Sequence, residues 1–369
     1  MQTYELIESV PNFSVGRDSA VIDAIAGASR GAHHLDTDAD PDHNRMVLTL
    51  AGGAPALLDS VFSAVALAVE RIDLRSHVGV HPRVGAADVV PFVPMANSSL
   101  DRCRSLAYEL GERVWRELHV PVYYYGDGRT LADIRAGRVK PDLGGPNHHP
   151  TAGAVCVGAR EPLVAFNMLL PDVDWAGARA IARALRESAG GLRGVQALVF
   201  VLPGRRVQLS TNLFRLDEAS LQLVIDELVR RGVTLGPQQV VGLCPAFVAN
   251  EAASGRLVEA RVAAAAARAG ASRCSDRGGE EMDALARRLG READSLARLA
   301  SGQEDLLAGA ERALALAAVL RAAHVLDAEL TEMLWLAGQG LRRAVTEETA
   351  RRFSDRIEAF ARQAKPVPS

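Results

Sequence analysis

The sequence predicts an α/β (α+β) protein in which two tandem ferredoxin-like βαββαβ subdomains are followed by an all-helical C-terminal extension. Three observations lead there. At 369 residues the chain exceeds what one ordinary core holds, since domains average about 100–200 residues. Up to Phe247, β-branched runs alternate with amphipathic stretches and are punctuated often by Pro and Gly. From Asn250 onward Ala, Arg, Leu and Glu dominate, and no proline occurs between Pro245 and Pro366. The expected boundaries are 1–137 for the first subdomain, 138–157 for a linker, 158–249 for the second subdomain and 250–369 for the helical extension.

Hydrophobic period assigns the elements in order. Tyr4–Val10 reads as a strand, Arg17–Arg30 as a helix after the turn at Ser14–Gly16, and His33–Ala39 as a strand. Asp40–His43 is a turn, Asn44–Ala51 the next strand, Pro55–Ile72 a helix and Asp88–Val93 a strand, which completes β-α-β-β-α-β. A helix at Ser99–Leu118 and a strand at Pro121–Gly126 extend the unit. The order returns with Pro162–Leu170 (strand), Trp175–Ser188 (helix), strands Val195–Val201 and Arg206–Thr211 around Pro203-Gly204, Leu216–Arg231 (helix) and Gln238–Leu243 (strand). Between the units, Arg138–Ala154 is rich in Gly, Pro and His, and a loop of that length in a compact protein points to function. In the extension, breaks are expected at Gly278-Gly279, Ser301-Gly302 and Gly338–Gly340, with a further helix start at Thr346-Glu347-Glu348. Leu285, Leu289, Leu296 and Leu299, then Leu307, Ala310, Leu314 and Ala317, are spaced to line helix faces, which suits a small bundle or a dimerisation arm.

Composition narrows the class. Hydrophobic residues at 48%, charged residues at 24% and a net charge of −3 describe a globular protein, without the basic footprint of a nucleic-acid binder. Cys103, Cys156, Cys244 and Cys274 form no C-x-x-C pair, which favours a reducing compartment over a disulfide framework or structural zinc. Met1–Val10 lacks the basic and apolar regions of a signal peptide, and the run Val61–Val69 is too short to span a bilayer, so a cytoplasmic protein without membrane contact is expected.

The densest chemical constellation is His77-Val78-Gly79-Val80-His81-Pro82-Arg83-Val84-Gly85-Ala86-Ala87-Asp88, between a helix and a strand. Two glycines and a proline fix the backbone and hold an imidazole close to a guanidinium. Histidine can donate and accept protons near neutral pH, and arginine presents a fork to a carboxylate. The plainer reading is a loop whose side chains stabilise only the loop. His77 and His81 share the spacing of helical zinc ligands, but Gly79 and Pro82 break a helix there and no third ligand follows, so no metal is expected. Asp36 and Asp38 end the second strand and either orient an imidazole or form an acidic turn. Asn12 and Ser14 follow the first strand, as caps or as ligand donors. Neither a phosphate loop, nor a G-x-G-x-x-G, nor a G-x-S-x-G elbow is present. On residues alone the reading ends at a transferase-like enzyme with an acid/base histidine.

Val10-Pro11-Asn12-Phe13-Ser14, Leu35-Asp36-Thr37-Asp38, Asn44-Arg45 and Gly79-Val80-His81-Pro82-Arg83-Val84-Gly85-Ala86 resemble the formiminotransferase family. So do Pro121-Val122-Tyr123, Gly158-Ala159-Arg160, Ala165-Phe166-Asn167, Ser210-Thr211-Asn212-Leu213 and Val241-Gly242-Leu243, in unbroken order from Leu6 to Pro245. The resemblance implies two α/β subdomains around a folate-binding crevice. It implies transfer of a formimino group from N-formimino-L-glutamate to N5 of tetrahydrofolate, a step of histidine breakdown. It puts the catalytic role on His81, and Asp38 is expected to orient that ring or to stabilise the developing amidinium charge. Arg83, Arg45 and Asn12 become candidates for binding substrate. The folate-binding segment corresponds to Gly144, Gly145, Pro146, Asn147, His148, His149, Pro150, Thr151, Ala152 and Gly153, with Ala152 where the family carries a bulky aromatic residue. Tetrahydrofolate is the implied co-substrate, with no metal.

Residues 250–369 show no counterpart of the P-G-G-G-S segment of the family's cyclodeaminase partner domain, so that second activity is not expected. The extension is expected to support a homo-oligomer, a dimer, or to cover a sheet edge. Competing readings are a formyl or other amidine-donor transferase on the same fold, and a folate-binding protein without catalysis.

Overall fold

The computed structural model describes residues 4–126 and 128–346; the expected helix start at Glu347-Glu348 lies outside the described residues. Contacts divide the chain at Gly242 and Leu243 into two compact units.

The first unit, Glu5–Gly242, holds both predicted α/β repeats. Its opening repeat runs β1 (Ile7–Ser9), β2 (Asn12–Phe13), α1 (Ser19–Ala28), β3 (His33–Asp40), β4 (Arg45–Gly52), α2 (Ala54–Arg71), β5 (Ala87–Pro94), α3 (Leu100–Leu118), β6 (Val122–Tyr125), α4 (Leu131–Arg135) and β7 (Val155–Ala159). The sheet order is β1-β4-β2-β5-β7-β6, with β3 on β4. Helix starts follow capping chemistry: Asp18, Ser99 and Thr130 accept backbone N–H groups at the heads of α1, α3 and α4, and Pro55 sits in the first turn of α2. Leu57, Val61 and Val65 of α2 and Leu106, Leu110 and Val114 of α3 bury against Leu48, Leu50, Val90 and Phe92 on one sheet face. The strand expected at Tyr4–Val10 is split: Val10 and Pro11 interrupt it, and Asn12-Phe13 resumes pairing with β4 and β5 through a register shift.

Two elements were not expected. Strand β7 fell inside and just after the predicted linker, yet it pairs parallel with both β5 and β6. A central parallel strand is covered on both faces and loses the alternation by which strands are recognised. Helix α4 is a single turn, too short for a periodic signal.

Glu8 of β1 shows what this sheet costs. Burial pushes its carboxyl up to about 7, against the opposing pull of Arg160. Between pH 4.5 and about 7 the folded chain therefore holds a proton that the unfolded chain releases, and stability falls as pH rises through that window. Glu8→Gln is expected to stabilise the protein by about 1–3 kcal/mol at pH 8 and by almost nothing at pH 4. Urea melts at the two pH values check it; equal effects at both would sink it.

The second repeat comprises β8 (Val164–Leu169), α5 (Trp175–Leu185), a 3-10 turn at Glu187–Ala189, β9 (Val195–Leu202), β10 (Arg206–Leu213), α6 (Leu221–Arg230) and β11 (Gln238–Val241). Its antiparallel sheet is ordered β11-β8-β10-β9. Gly204 and Arg205, both at positive φ (73° and 59°), turn the β9–β10 hairpin. The helix expected from Leu216 starts at Leu221, because Ser220 caps it and Arg215–Ala219 form a turn. Phe166, Met168, Leu209, Thr211, Leu213 and Val240 bury on one face, and the other face carries Asn167, Gln208, Ser210 and Gln239.

The unit beginning at Leu243 is helical: α7 (Val258–Arg277), α8 (Glu280–Ala297), α9 (Gln303–Ala322) and α10 (Ala328–Arg343). It includes Tyr4, whose hydroxyl donates to Glu329 at 2.9 Å. Breaks fall at Gly278-Gly279 and Ser301-Gly302 as expected, but Gly338–Gly340 lies inside α10. Those glycines bring helices together instead of ending one: Gly338 faces Leu314 of α9, and a side chain at Gly340 would strike Glu259 of α7. The actual break is His324–Asp327, where His324 adopts φ 57° with its side chain exposed, and Asp327 caps α10. Leu289, Leu296, Leu299, Leu307 and Ala310 are buried, whereas Leu285, Leu314 and Ala317 are half-buried; in α9 the core face shifts toward Ala313, Leu316 and Leu320.

Candidate active site

His81 lies in the loop between α2 and β5, which is held by its own polar groups together with Asn44 and the end of the predicted linker. The Arg83 guanidinium donates to the His77 ring and carbonyl, to the Gly79 carbonyl at 2.6 Å and to the His81 carbonyl at 3.3 Å. Asn44, itself at φ 46°, donates to the Val78 carbonyl at 3.0 Å and accepts from Gly16 N–H. Glycine is required at Gly79 and Gly85 by close approach: a Cβ would collide with the carbonyls of His43 and Ala154 respectively.

The predicted linker splits between two tasks. Its first end, Leu143-Gly144, pairs with β6 through the Val122 N–H to Leu143 carbonyl bond (3.0 Å), with Gly144 at φ 88° beside Trp115 and Pro121. Gly145, Pro146 and Asn147 are exposed. Its second end is bonded to the histidine loop: Ala86 N–H reaches the Ala152 carbonyl at 2.8 Å, Leu74 N–H the Thr151 carbonyl at 2.8 Å and Ala154 N–H the Val84 carbonyl at 3.1 Å. His149 Nδ1 accepts from the N–H groups of Thr151 and Ala152 (3.3 and 3.0 Å), closing the turn through Pro150 to Gly153. His148 bonds the Tyr123 hydroxyl at 2.9 Å. Ala152 is buried in the core, so it is not a surface contact.

Beneath His81 lies a buried charge cluster. Asp88, at the start of β5 and fully buried, accepts from Arg45 at 2.7 Å, from Arg135 of α4 at 3.0 Å and from Val84 N–H at 2.6 Å. These donors hold its carboxyl below the ordinary range although burial pulls the other way. Arg45 also donates to Asn12 Oδ1 (3.1 and 2.9 Å), and its Nη1 lies 3.0 Å from His81 Nδ1. Arg45 and Arg83 were expected to meet substrate carboxylates and Asn12 to bind substrate; in the unliganded protein all three hold internal partners, Arg83 within its own loop. Asp38 was expected to orient His81. Its carboxylate instead accepts from Gly242 N–H at 2.9 Å, while the hydrogen bonds of the His81 ring go to Arg45 and Pro82. The carboxylate that acts on the ring does so through Arg45, and it is Asp88.

The second repeat completes the site. Phe200 of β9 stacks on the His81 ring (centroids 5.7 Å apart, 29° between planes) and meets His43 edge-on at 5.0 Å. Buried His43 bonds Gln208 of β10 at 2.7 Å, and half-buried Asp42 pairs with exposed Arg206 at 2.5 Å. Burial first, then Arg45 and Arg135, hold the His81 imidazole down to about 2, so the ring is neutral at physiological pH. The two contacts of Nδ1 belong to different tautomers: with the proton on Nδ1 the ring donates to the Pro82 carbonyl at 2.8 Å and Nε2 is a bare base, whereas accepting from Arg45 at Nδ1 puts the proton on Nε2. Nε2 makes no hydrogen bond among the described residues.

Sequence reasoning missed Asp88 as a partner, Arg135, His43, Phe200 and Gln208. Asp88 closed the motif and His43 closed the Asp40–His43 turn, but their partners lie 47 and 165 residues away along the chain. Among the described residues no three His, Cys, Asp or Glu side chains are grouped to hold a metal ion, and no helix is long and apolar enough to cross a membrane.

Residues 6–160 match the formiminotransferase domain, N-terminal subdomain. The chain is 36% identical over 268 residues to a glutamate formimidoyltransferase of Streptococcus pyogenes serotype M1, an alignment covering 66% of this chain and 90% of the relative. It is 37% identical over 269 residues to the glutamate formimidoyltransferase of Thermoplasma acidophilum, covering 65% and 88%. Against the formimidoyltransferase-cyclodeaminase of Rattus norvegicus it is 37% identical over 282 residues, 68% of this chain but 52% of that protein. The chain thus belongs to the glutamate formimidoyltransferase family, a family of formimino transferases, and is a transferase enzyme.

Proposed function

We propose that the enzyme transfers the formimino group of N-formimino-L-glutamate to N5 of tetrahydrofolate in histidine degradation, with His81 moving the protons. The observation that carries this reading is a neutral, half-buried imidazole with an unengaged Nε2, stacked on Phe200 where the two repeats meet. The N5 lone pair attacks the amidine carbon and forms the new C–N bond. The tetrahedral intermediate then passes the N5 proton to His81 Nε2, and the same proton goes to the glutamate nitrogen as its C–N bond breaks. Burial first, and then Arg45 and Arg135, disfavour an imidazolium in the unliganded protein, and the two carboxylates of a bound donor would offset the part due to the arginines. Asp38, at the second repeat's contact with β3, is the candidate for facing the amidinium charge. The 149–153 turn, bonded to the histidine loop, is the part of the linker best placed to hold folate. Four buried free cysteines suit a reducing compartment, the cytoplasm.

The test is direct transfer. Purified protein with tetrahydrofolate and N-formimino-L-glutamate is expected to release glutamate and 5-formimino-tetrahydrofolate. Product from N-formyl-L-glutamate instead would move the donor to a formyl group. Bound folate without product from either donor would leave a folate-binding protein.

A further inference from the structure

The second sheet carries a polar row that the proton chemistry does not use. Ser210 of β10, Asn167 of β8 and Gln239 of β11 are direct cross-strand partners, so their side chains share one face. It is the face opposite buried Phe166, Met168, Leu209 and Thr211, and it also bears Gln208, one pleat repeat (about 7 Å) from Ser210 along β10. Asn167 is only 6% exposed, and its Oδ1 is buried with no hydrogen-bond partner among the described residues. A buried amide oxygen without a partner costs about 1–3 kcal/mol. Nothing in the fold requires an amide there, since the cross-strand bonds are made by backbone.

Place gives this row its meaning. The strand order β11-β8-β10-β9 puts Asn167 between two contacts that join the repeats: Gln208 with His43 on one side, and Gly242 N–H with Asp38 on the other. The row therefore shares its face with Phe200, which pairs with Gln208 and stacks on His81, and no member of it is charged. Neutral donors and acceptors in a line suit a flat heterocycle that presents N–H and C=O groups along one edge; the carboxylates of a glutamyl group call for cations.

We infer that Asn167, with Ser210 and Gln239, is the recognition row for the 2-amino-4-oxo edge of a reduced pterin. The inference rests on the reading above that tetrahydrofolate is the acceptor. Asn167 supplies the acceptor or donor that the edge demands, turning about its soft terminal torsion. The stability forfeited by its unpaired oxygen in the free protein is recovered when the pterin binds.

Binding to the full chain tests this with three probes: tetrahydrofolate, 6-methyltetrahydropterin and p-aminobenzoyl-L-glutamate, which lacks the pterin. Asn167→Ala is expected to weaken the first two by about tenfold or more. It should leave p-aminobenzoyl-L-glutamate and the donor KM unchanged, with a melting temperature no lower than wild type. A purely structural asparagine would instead lower the melting temperature and affect all ligands alike. If Asn167→Ala does not fold, half-exposed Gln239→Ala is expected to show the same selective loss. Unchanged tetrahydrofolate affinity in the folded variant, or equal weakening of all three probes, overturns the inference alone. Wild type that binds neither tetrahydrofolate nor the pterin overturns the acceptor reading and this inference with it.

Discussion

Asp88→Ala is expected to destabilise the protein by about 3–5 kcal/mol, the largest stability effect available from one substitution at this site. Asp88 is fully buried and neutralises two guanidinium groups, Arg45 at 2.7 Å and Arg135 at 3.0 Å, while accepting Val84 N–H at 2.6 Å. Removing the carboxylate leaves two cations facing each other in a dry pocket, together with an unpaired backbone donor. Asp88→Asn separates the two losses, because the amide keeps an acceptor for Val84 N–H and gives up only the charge. It should cost less than the alanine variant and still disturb the site, since Arg45 then meets His81 uncompensated. Chemical denaturation of both variants checks the order. If Asp88→Ala melts within about 1 kcal/mol of wild type, the cluster is not the buried ion network described here.

What was legible in the sequence divides along the distance between partners. The His81 loop could be placed because its determinants are local: Gly79, Pro82, Arg83 and Gly85 lie within a few residues, and Arg83 does fold back on its own loop. Arg45 and Asn12 were singled out as substrate-binding candidates, and the structure shows them bonded to each other beside His81. No pattern within one segment reveals that Arg45 finds Asp88, Asn12 and His81 across three elements. Asp38 looked like a partner for the ring because both belong to strong motifs, and only the meeting of β3 with Gly242 showed where its carboxylate goes. The same limit explains β7 and the α10 glycines. A strand covered on both faces has no alternation, and a glycine chosen for helix–helix approach reads like one chosen to end a helix.

The second repeat matters most for how the histidine titrates. Phe200 and the partnership of His43 with Gln208 close over the ring from that side, and Arg45 and Arg135 press on it from the first sheet. A histidine on an open loop would titrate near 6.5, whereas this one is kept from protonating until about pH 2. Free enzyme and complex should therefore differ. The profile of kcat/KM, which reports the free enzyme, should lack an acid limb from His81 near pH 6.5. The kcat profile should acquire one when the donor's two carboxylates offset the arginines.

His81→Asn should lower kcat by about 10²–10⁴-fold while leaving tetrahydrofolate affinity within a few-fold of wild type. Asparagine can still accept from Arg45, so the buried cluster persists and the loss isolates the proton transfer. The same variant tests the electrostatics independently of catalysis. Between pH 6.5 and about 2 the unfolded chain binds a proton at His81 that the folded chain refuses. Wild-type stability must therefore fall as the solution is acidified through that window, with up to about 1.4 kcal/mol per pH unit owed to this one group. His81→Asn carries no such group, and its stability should fall less steeply from pH 6 to pH 4 than that of wild type. Parallel stability curves would mean that the ring is not held neutral by burial and the two arginines. Full activity in the variant would remove His81 from the reaction altogether, and the two outcomes can be told apart because one is read from unfolding and the other from turnover.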